Sequence, residues 1–370
     1  MIVEVRKRFS RSFSLGGNWT FSRATDEATD FVRDYQAADQ ANLCAERAAR
    51  LQLGVRSTPD SVRSPDPFLT TRKLHTGGGT VGELSAMKTE KDPSAYLEGV
   101  REYWRTAHRA YLESVGTTFQ AGLINLGPSE DPVTQSNLHL AAAAGIRPGH
   151  RVLDAGCGVC GPSMDIARHI EGVQITAVTI SPEQAATAKK LIRQARLSSQ
   201  IEVRIADYHR LPFPDGFFDV VCFFESVGYS YDLSRLFSEV FRVTRPGGGV
   251  YIKDVFCKAR PLSRAAREEL AEFNRIFAQF QTPTLSHVRK ALAVAGFEQI
   301  RGRDLTKRIT TAHSLNAMFD SRNGSLRPTE FGKLHFGVYR CAAVCFGEIK
   351  AIRPVRKRHD RRTRRTVSTS

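Results

Sequence analysis

The sequence predicts an α/β fold, a mainly parallel sheet with helices on both of its faces. Two observations carry this. After residue 146, short apolar runs of strand length alternate with amphipathic stretches of helix length, which is the signature of βαβ units. In VLDAGCGVCGP (152–162), Gly156, Gly158 and Gly161 form a G-x-G-x-x-G between the first such run and the first such helix, where a sheet of this kind turns its backbone towards a ligand.

Taken in order, residues 1–92 mix Arg, Ser, Thr, Gly and Pro, and RSTPDSVRSPDP and HTGGGT break any helical period. A flexible extension is expected, with a short helix within 25–53. PSAYLEGVREYWRTAHRAYLESV spaces Tyr96, Leu97, Val100, Trp104, Ala107 and Tyr111 as a helix, and DPVTQSNLHLAAAAGI follows as a second. Together they make a helical cap over 93–145. The domain proper, 146–350, reads as strand RVLDAG, a helix from Gly161, strand QITAVTI, helix SPEQAATAKKLIRQA and strands IEVRIAD and FDVVCFFES. Helix DLSRLFSEVFRVT and strand GGVYIKDVF come next, and FEQIRGRDLT with VYRCAAVCFGEIKA look like a closing strand pair. The segment around 259–285 is longer than an ordinary connection and repeats apolar residues at helical spacing, so it is expected to fold over the sheet edge as a lid.

The bulk numbers bound the function. The chain has 370 residues, 41% of them hydrophobic, enough for one large core. Seven scattered cysteines, without a secretory leader pattern, predict reduced thiols and a cytoplasmic protein. No apolar run reaches the roughly 18 to 20 residues of a membrane span. The net charge is +16, but the last twenty residues carry eight Arg or Lys against one Asp. That tail, 351–370, reads as a disordered solvated segment; the competing reading is a nucleic-acid or membrane-surface contact.

The glycine turn also contains Cys157 and Cys160 as a C-x-x-C. Zinc would need two further ligands, and the nearest candidates, Cys341 and Cys345, fall in the last expected strand, so the turn reading is preferred and no metal site is assigned. Asp154, just before the turn, can accept hydrogen bonds from a ligand amine or orient the loop. A nicotinamide site would carry an acid after the second strand. Here AVTISPEQ places Thr179 and Ser181 there, which argues against a dinucleotide.

With VLDAGCGVCGP, AVTISPEQ, ADYHRLPFPDGFFDVV and EVFRVTRPGGGVYIKD in this order, the chain resembles the class I S-adenosylmethionine-dependent methyltransferases over roughly residues 93–350. GCGVCGP, TISPEQ and FFESVGYSYDL look most like the sterol and prenyl-diphosphate C-methyltransferases, with cyclopropane-fatty-acid synthases as a neighbouring group. The resemblance implies a Rossmann-like, seven-stranded sheet and S-adenosylmethionine as cofactor. It assigns Asp154, Gly156 and Gly158 to the cofactor's amino-acid half. Thr179, Ile180 and Gln184 would lie along its ribose and adenine, and Asp207 with Tyr208 at the adenine edge. Gln120 and Gln135 are candidates to cover the methionine end from the cap.

The resembling enzymes place an acid after the fourth strand to take the proton lost by a carbocation, which here is Glu225. The competing reading of Glu225 is structural, since a carboxylate in an apolar setting must be paired. Tyr229 and Phe273, with Phe277 and Phe280, are candidates to face the cation. Arg109 is named for a diphosphate head, beside His108, Lys258 and Arg260, with Mg²⁺ as a possible bridging ion. The expected function is C-methylation of an isoprenoid alkene, most simply geranyl or farnesyl diphosphate. The alternatives are N-, O- or aromatic C-methylation of a natural product, and RNA binding through the basic tail. The N-terminal helices are the element two subunits would exchange in a homo-oligomer.

Overall fold

The computed structural model of the protein describes residues 92–259, 261–320, 327–335 and 343–355. The N-terminal extension with its expected helix, Arg260 and most of the basic tail lie outside the described residues.

Helix α1 (Pro93–Val115) starts on Asp92, whose carboxylate accepts from the Ser94 amide, with Pro93 preset in its first turn. After strand β1 (Leu123–Ile124) and helix α2 (Pro132–Ala144) the sheet begins. Its strands β2 (Arg151–Ala155), β3 (Gln174–Thr179), β4 (Ile201–Ile205) and β5 (Phe218–Phe224) are linked by helices α3 (Gly161–His169) and α4 (Pro182–Gln194). Helix α5 (Leu233–Val243) leads into β6 (Thr244–Cys257), and the lid helix α6 (Arg264–Ile276) precedes α7 (Leu285–Ala295) and β7 (Glu298–Asp304). An insertion then holds β8 (Ile309–Thr310), α8 (Ala312–Met318), β9 (Phe319–Asp320), β10 (Arg327–Pro328) and α9 (Glu330–His335), before β11 (Val344–Ile352) closes the sheet.

The seven strands run β4-β3-β2-β5-β6-β11-β7. β2 to β6 are parallel, while β11 enters antiparallel between β6 and β7. The expected closing pair therefore forms, but it makes the sheet mixed, because a strand returning from the far end of β7 runs opposite to it. Alternate residues feed two cores. Val220, Cys222 and Phe224 of β5 pack on the side of α1 to α4. Val221 and Phe223 pack on the side of α5 and α7, where the buried stripe Leu233, Leu236, Phe237, Val240 and Val243 gives α5 its packing face.

The strand order reverses between β2 and β5, and their carboxyl ends open a crevice there. The cap stands over it from the first core's side. β1 pairs with β8, so the cap and the insertion are joined by a small sheet of their own. The insertion was not anticipated from the sequence, which assigned 309–335 to no element.

Candidate active site

The turn after β2 is shaped by three close approaches. Gly156 has φ +87, and a Cβ there would lie 2.4 Å from the Ser226 Cβ. Its amide and that of Cys157 both donate to the Val178 carbonyl at 2.9 Å. Gly158 has φ +53 and faces the Phe119 ring, where a Cβ would stand 3.3 Å away. At Gly161 the neighbour is the cap: a Cβ would sit 2.3 Å from the Thr117 carbonyl oxygen, so the small residue seats the cap on α3 rather than packing helix on strand.

Above this turn lies a cleft of about 1260 Å³, counting its open mouth. Asp154, Gly156, Gly158, Thr179, Ile180, Gln184, Asp207 and Tyr208 all line it, and so do Gln120, Glu225, Tyr229 and Phe273. The Asp154 carboxylate is buried and accepts from the Ser163 hydroxyl at 2.6 Å. Burial pushes its carboxyl up to about 6, the Ser163 bond opposing this. The Thr179 hydroxyl donates to the Gln184 side chain at 2.8 Å, fixing the two together at the start of α4. For Asp207 burial alone would raise the carboxyl, but the His209 ring and backbone N–H at 2.7 and 2.9 Å, with the Tyr231 hydroxyl, outweigh it and hold it below the ordinary value. Tyr208 donates to the Ser226 carbonyl at 3.0 Å, so it contributes a ring face here, its hydroxyl being tied into the wall.

These features fit S-adenosylmethionine: glycine backbone where a side chain would block approach, and an acid, Asp154, ready for a cationic group. Asp207 would take hydroxyl donors at the far end. Among the described residues no group of three or more His, Cys, Asp and Glu stands close enough to hold a metal ion.

The other half of the cleft is aromatic. Trp104 stacks near Phe119 with ring centroids 5.9 Å apart and lies 6.1 Å from Tyr229. Tyr111 meets Phe331 edge to face at 4.7 Å, and Phe273 and Phe277 come from the lid. His335 ties these parts together. Its Nδ1 donates to the Phe331 carbonyl at 2.8 Å, which leaves Nε2 to accept from the Tyr111 hydroxyl at 2.9 Å. Burial lowers this imidazole to about 4, so it stays neutral, and it stacks on Phe277 at 4.7 Å. Phe280, expected on the same lid face, instead packs on Tyr96 with centroids 5.1 Å apart.

Glu225 stands where β5 ends. Its side chain is 8% exposed and paired with Lys253, which is 0% exposed in β6. The same carboxylate accepts from the amides of Ala121 at 2.6 Å and Gly122 at 3.4 Å in the cap. Its backbone has φ 63, a conformation that costs a non-glycine residue roughly 1 to 3 kcal/mol and persists only where surrounding contacts enforce it. Next to Lys253, Asp254 also lines the cleft. It accepts from Val227 and Val255 amides at 2.8 and 2.7 Å, and burial, with the Glu225 charge next, pushes it up to about 7.

Gln135 and, among the described residues, the cations expected for a diphosphate head lie outside the cleft. Gln135 is exposed and does not line the cleft: the helical period turns Ser136, Asn137, Leu140 and Ala141 of α2 inward and leaves 135 outside. The inward amide is Asn137, which accepts from Gln120 at 3.3 Å and donates to Asp165 at 2.8 Å. Arg109 is 82% exposed and pairs with Glu113 one turn along α1, because it lies on the solvent face opposite Ala107 and Tyr111. His108 and Lys258 are likewise not among the lining residues. Missed altogether were Lys253, Asp254, Trp104, Phe119 and Phe331 as parts of the site. The adjacent charges inside the apolar run VYIKDVF were a visible signal for the first two, since a buried strand holds charge only where something pairs with it; nothing local pointed to Phe331.

Comparison with known proteins bears on the whole arrangement. The family description of a methyltransferase domain matches residues 153–252. Sterol 24-C-methyltransferase ERG6B of Gibberella zeae is 30% identical over 229 residues, 60% of this chain and 59% of that protein. Methyltransferase phqN of Penicillium fellutanum is 31% identical over 226 residues, 57% of this chain and 68% of that protein. The chain thus spans about 59% of the length of the sterol enzyme it matches. Among solved structures, geranyl diphosphate C-methyltransferase from Streptomyces coelicolor shares the fold with a TM-score of 0.55 at 21% identity, covering 72% of this chain and 99% of that one. By sequence over the glycine turn and its flanking strands, and by fold over the sheet that presents them, the chain belongs to the class I S-adenosylmethionine-dependent methyltransferases.

Proposed function

We propose that this protein transfers the methyl group of S-adenosylmethionine to an alkene carbon of an isoprenoid, with geranyl or farnesyl diphosphate as the first acceptors to try. The supporting observation is the make-up of the cleft: the cofactor turn opens into a chamber of Trp104, Tyr111, Phe119, Tyr229, Phe273 and Phe277, with the Glu225 carboxylate in its wall. S-adenosylmethionine, when bound, supplies a methyl group already activated by its positive sulfur. The protein's share is then orientation and exclusion of water, effects that reach about 7 to 11 kcal/mol in favourable cases.

The alkene π electrons form the new carbon–carbon bond, and the electron pair of the old methyl bond stays on sulfur. The cation left on the neighbouring carbon lies against ring faces, each contributing roughly 0.5 to 2 kcal/mol. A C–H bond beside that cation breaks, its electrons close a new double bond, and the proton passes to Glu225. A C–H next to a cationic carbon is so acidic that a carboxylate already paired with a lysine can still accept it. The charged side chains described along the cleft are Asp154, Asp207, Glu225 and Asp254, all acids. None of these lining residues offers a cation to a diphosphate, so a diphosphate head would have to lie beyond this lining.

Asp254 favours a second reading. A buried carboxyl raised to about 7 suits a general base for a hydroxyl or amine acceptor, and an O-methyltransferase of Aspergillus sclerotiorum is also among the relatives, 30% identical over 204 residues. One experiment separates them. Methyl-labelled cofactor is incubated with geranyl and farnesyl diphosphate with and without Mg²⁺, a free prenyl alcohol, a sterol, a phenol and an amine, and product mass and methyl position are read. Label on an alkene carbon supports the first reading. Label on oxygen or nitrogen alone removes it and favours the second.

A further inference from the structure

Lys253 lies inside β6, shows no surface and takes no part in the reaction scheme above. We propose that Lys253 is the positioning residue for the proton acceptor: it grips Glu225 from both ends and makes the aim of that carboxylate depend on the cap segment Gln120–Gly122 being seated. The inference rests on the reading of Glu225 given above.

An ammonium has three hydrogens and needs three acceptors when water is excluded. Here they are the Glu225 carboxylate, the Gly122 carbonyl and the Gln120 side-chain oxygen, the last at 3.0 Å. The Phe346 ring adds a face 5.5 Å from the nitrogen. The main chain of Lys253 also takes part, since its carbonyl accepts the Glu225 amide at 2.7 Å. Glu225 in turn receives the amides of Ala121 and Gly122. Acid, lysine and cap segment thus form a closed circuit in which each satisfies the other two. Unseating 120–122 would leave a carboxylate and an ammonium each short of partners in an apolar surround, so the acid reaches its working geometry only with the cap in place. The circuit continues from Gln120 to Asn137 and Asp165 on α3, the helix that opens from the cofactor turn. Cap seating and construction of the acceptor side become one event, as expected where closure assembles a catalytic site.

The test is a double-mutant comparison of Glu225→Gln, Lys253→Met and the pair, read as turnover, acceptor KM and cofactor affinity by calorimetry. Glu225→Gln is expected to lower turnover roughly 100- to 10,000-fold. If Lys253 acts through Glu225, adding Lys253→Met to that variant changes turnover less than about threefold, while Lys253→Met alone reproduces most of the loss with cofactor affinity nearly intact. A further loss larger than that in the double variant overturns the proposal, because it would mean that Lys253 supports turnover by a route other than Glu225. So does wild-type turnover in Lys253→Met. Should that single variant fail to fold, the double variant still decides, since it leaves no unpaired buried charge. Full turnover in Glu225→Gln would instead strike the reading of Glu225 itself, and the two failures are told apart by which single variant is silent.

Discussion

The two halves of the cleft are built on opposite plans. The half expected to hold the cofactor comes from loops that follow consecutive parallel strands, so Asp154, Gly156 and Gly158, then Thr179, Ile180 and Gln184, then Asp207 and Tyr208 appear in the chain as three short runs. The aromatic half, where the proposed acceptor would lie, gathers Trp104, Phe119, Glu225, Phe273 and Phe331 from the cap, the end of β5, the lid and the insertion after β7. The first half is set by turn chemistry that acts over a few residues. The second depends on packing between segments far apart in sequence.

The largest separation of the halves should come from Gly156→Ala. A left-handed backbone at φ +87 and a Cβ 2.4 Å from Ser226 leave no room for even a methyl group. Cofactor affinity in calorimetry should fall more than about 100-fold, a loss of the order expected when a strained turn and a blocked approach act together. Retained affinity would mean that the turn is not what holds the cofactor. A smaller effect of the opposite kind is expected for Trp104→Ala, which removes a ring beside both Phe119 and Tyr229. Acceptor KM should rise roughly 2- to 30-fold for a lost aromatic contact of about 0.5 to 2 kcal/mol, with cofactor affinity unchanged; equal losses on both sides would show that the halves are not independent. The smallest effect belongs to Arg109→Ala. Its pair with Glu113 is solvent-exposed and screened, so thermal unfolding should be almost unchanged, with no change in acceptor KM even for a diphosphate. A marked rise in KM would return Arg109 to the site.

The same contrast explains what was readable beforehand. Alternating strands and helices, the glycine turn and the order of the motifs are local or periodic features, and they located the sheet and the residues that line one half of the cleft. Gln135 misled because polar residues within one helix look alike until the helical phase is known, and the phase here turned Asn137 inward. Arg109 misled because a cation on a solvent-facing helix resembles one at a pocket mouth. Lys253 and Asp254 carried a signal, charge within an apolar strand, that gains meaning only when the opposing groups are known.

By itself the sequence determined the parallel core of the sheet, the glycine turn that lines the cleft and the presence of an acid after β5, because hydrophobic period and glycine geometry act at short range. The tertiary structure alone decided that β11 runs antiparallel between β6 and β7, that α9 supplies part of the aromatic wall of the cleft, and that the acid is bound to Lys253 and the cap. Those outcomes follow from contacts between segments tens to hundreds of residues apart, whose partners are chosen by shape and charge balance in the folded chain.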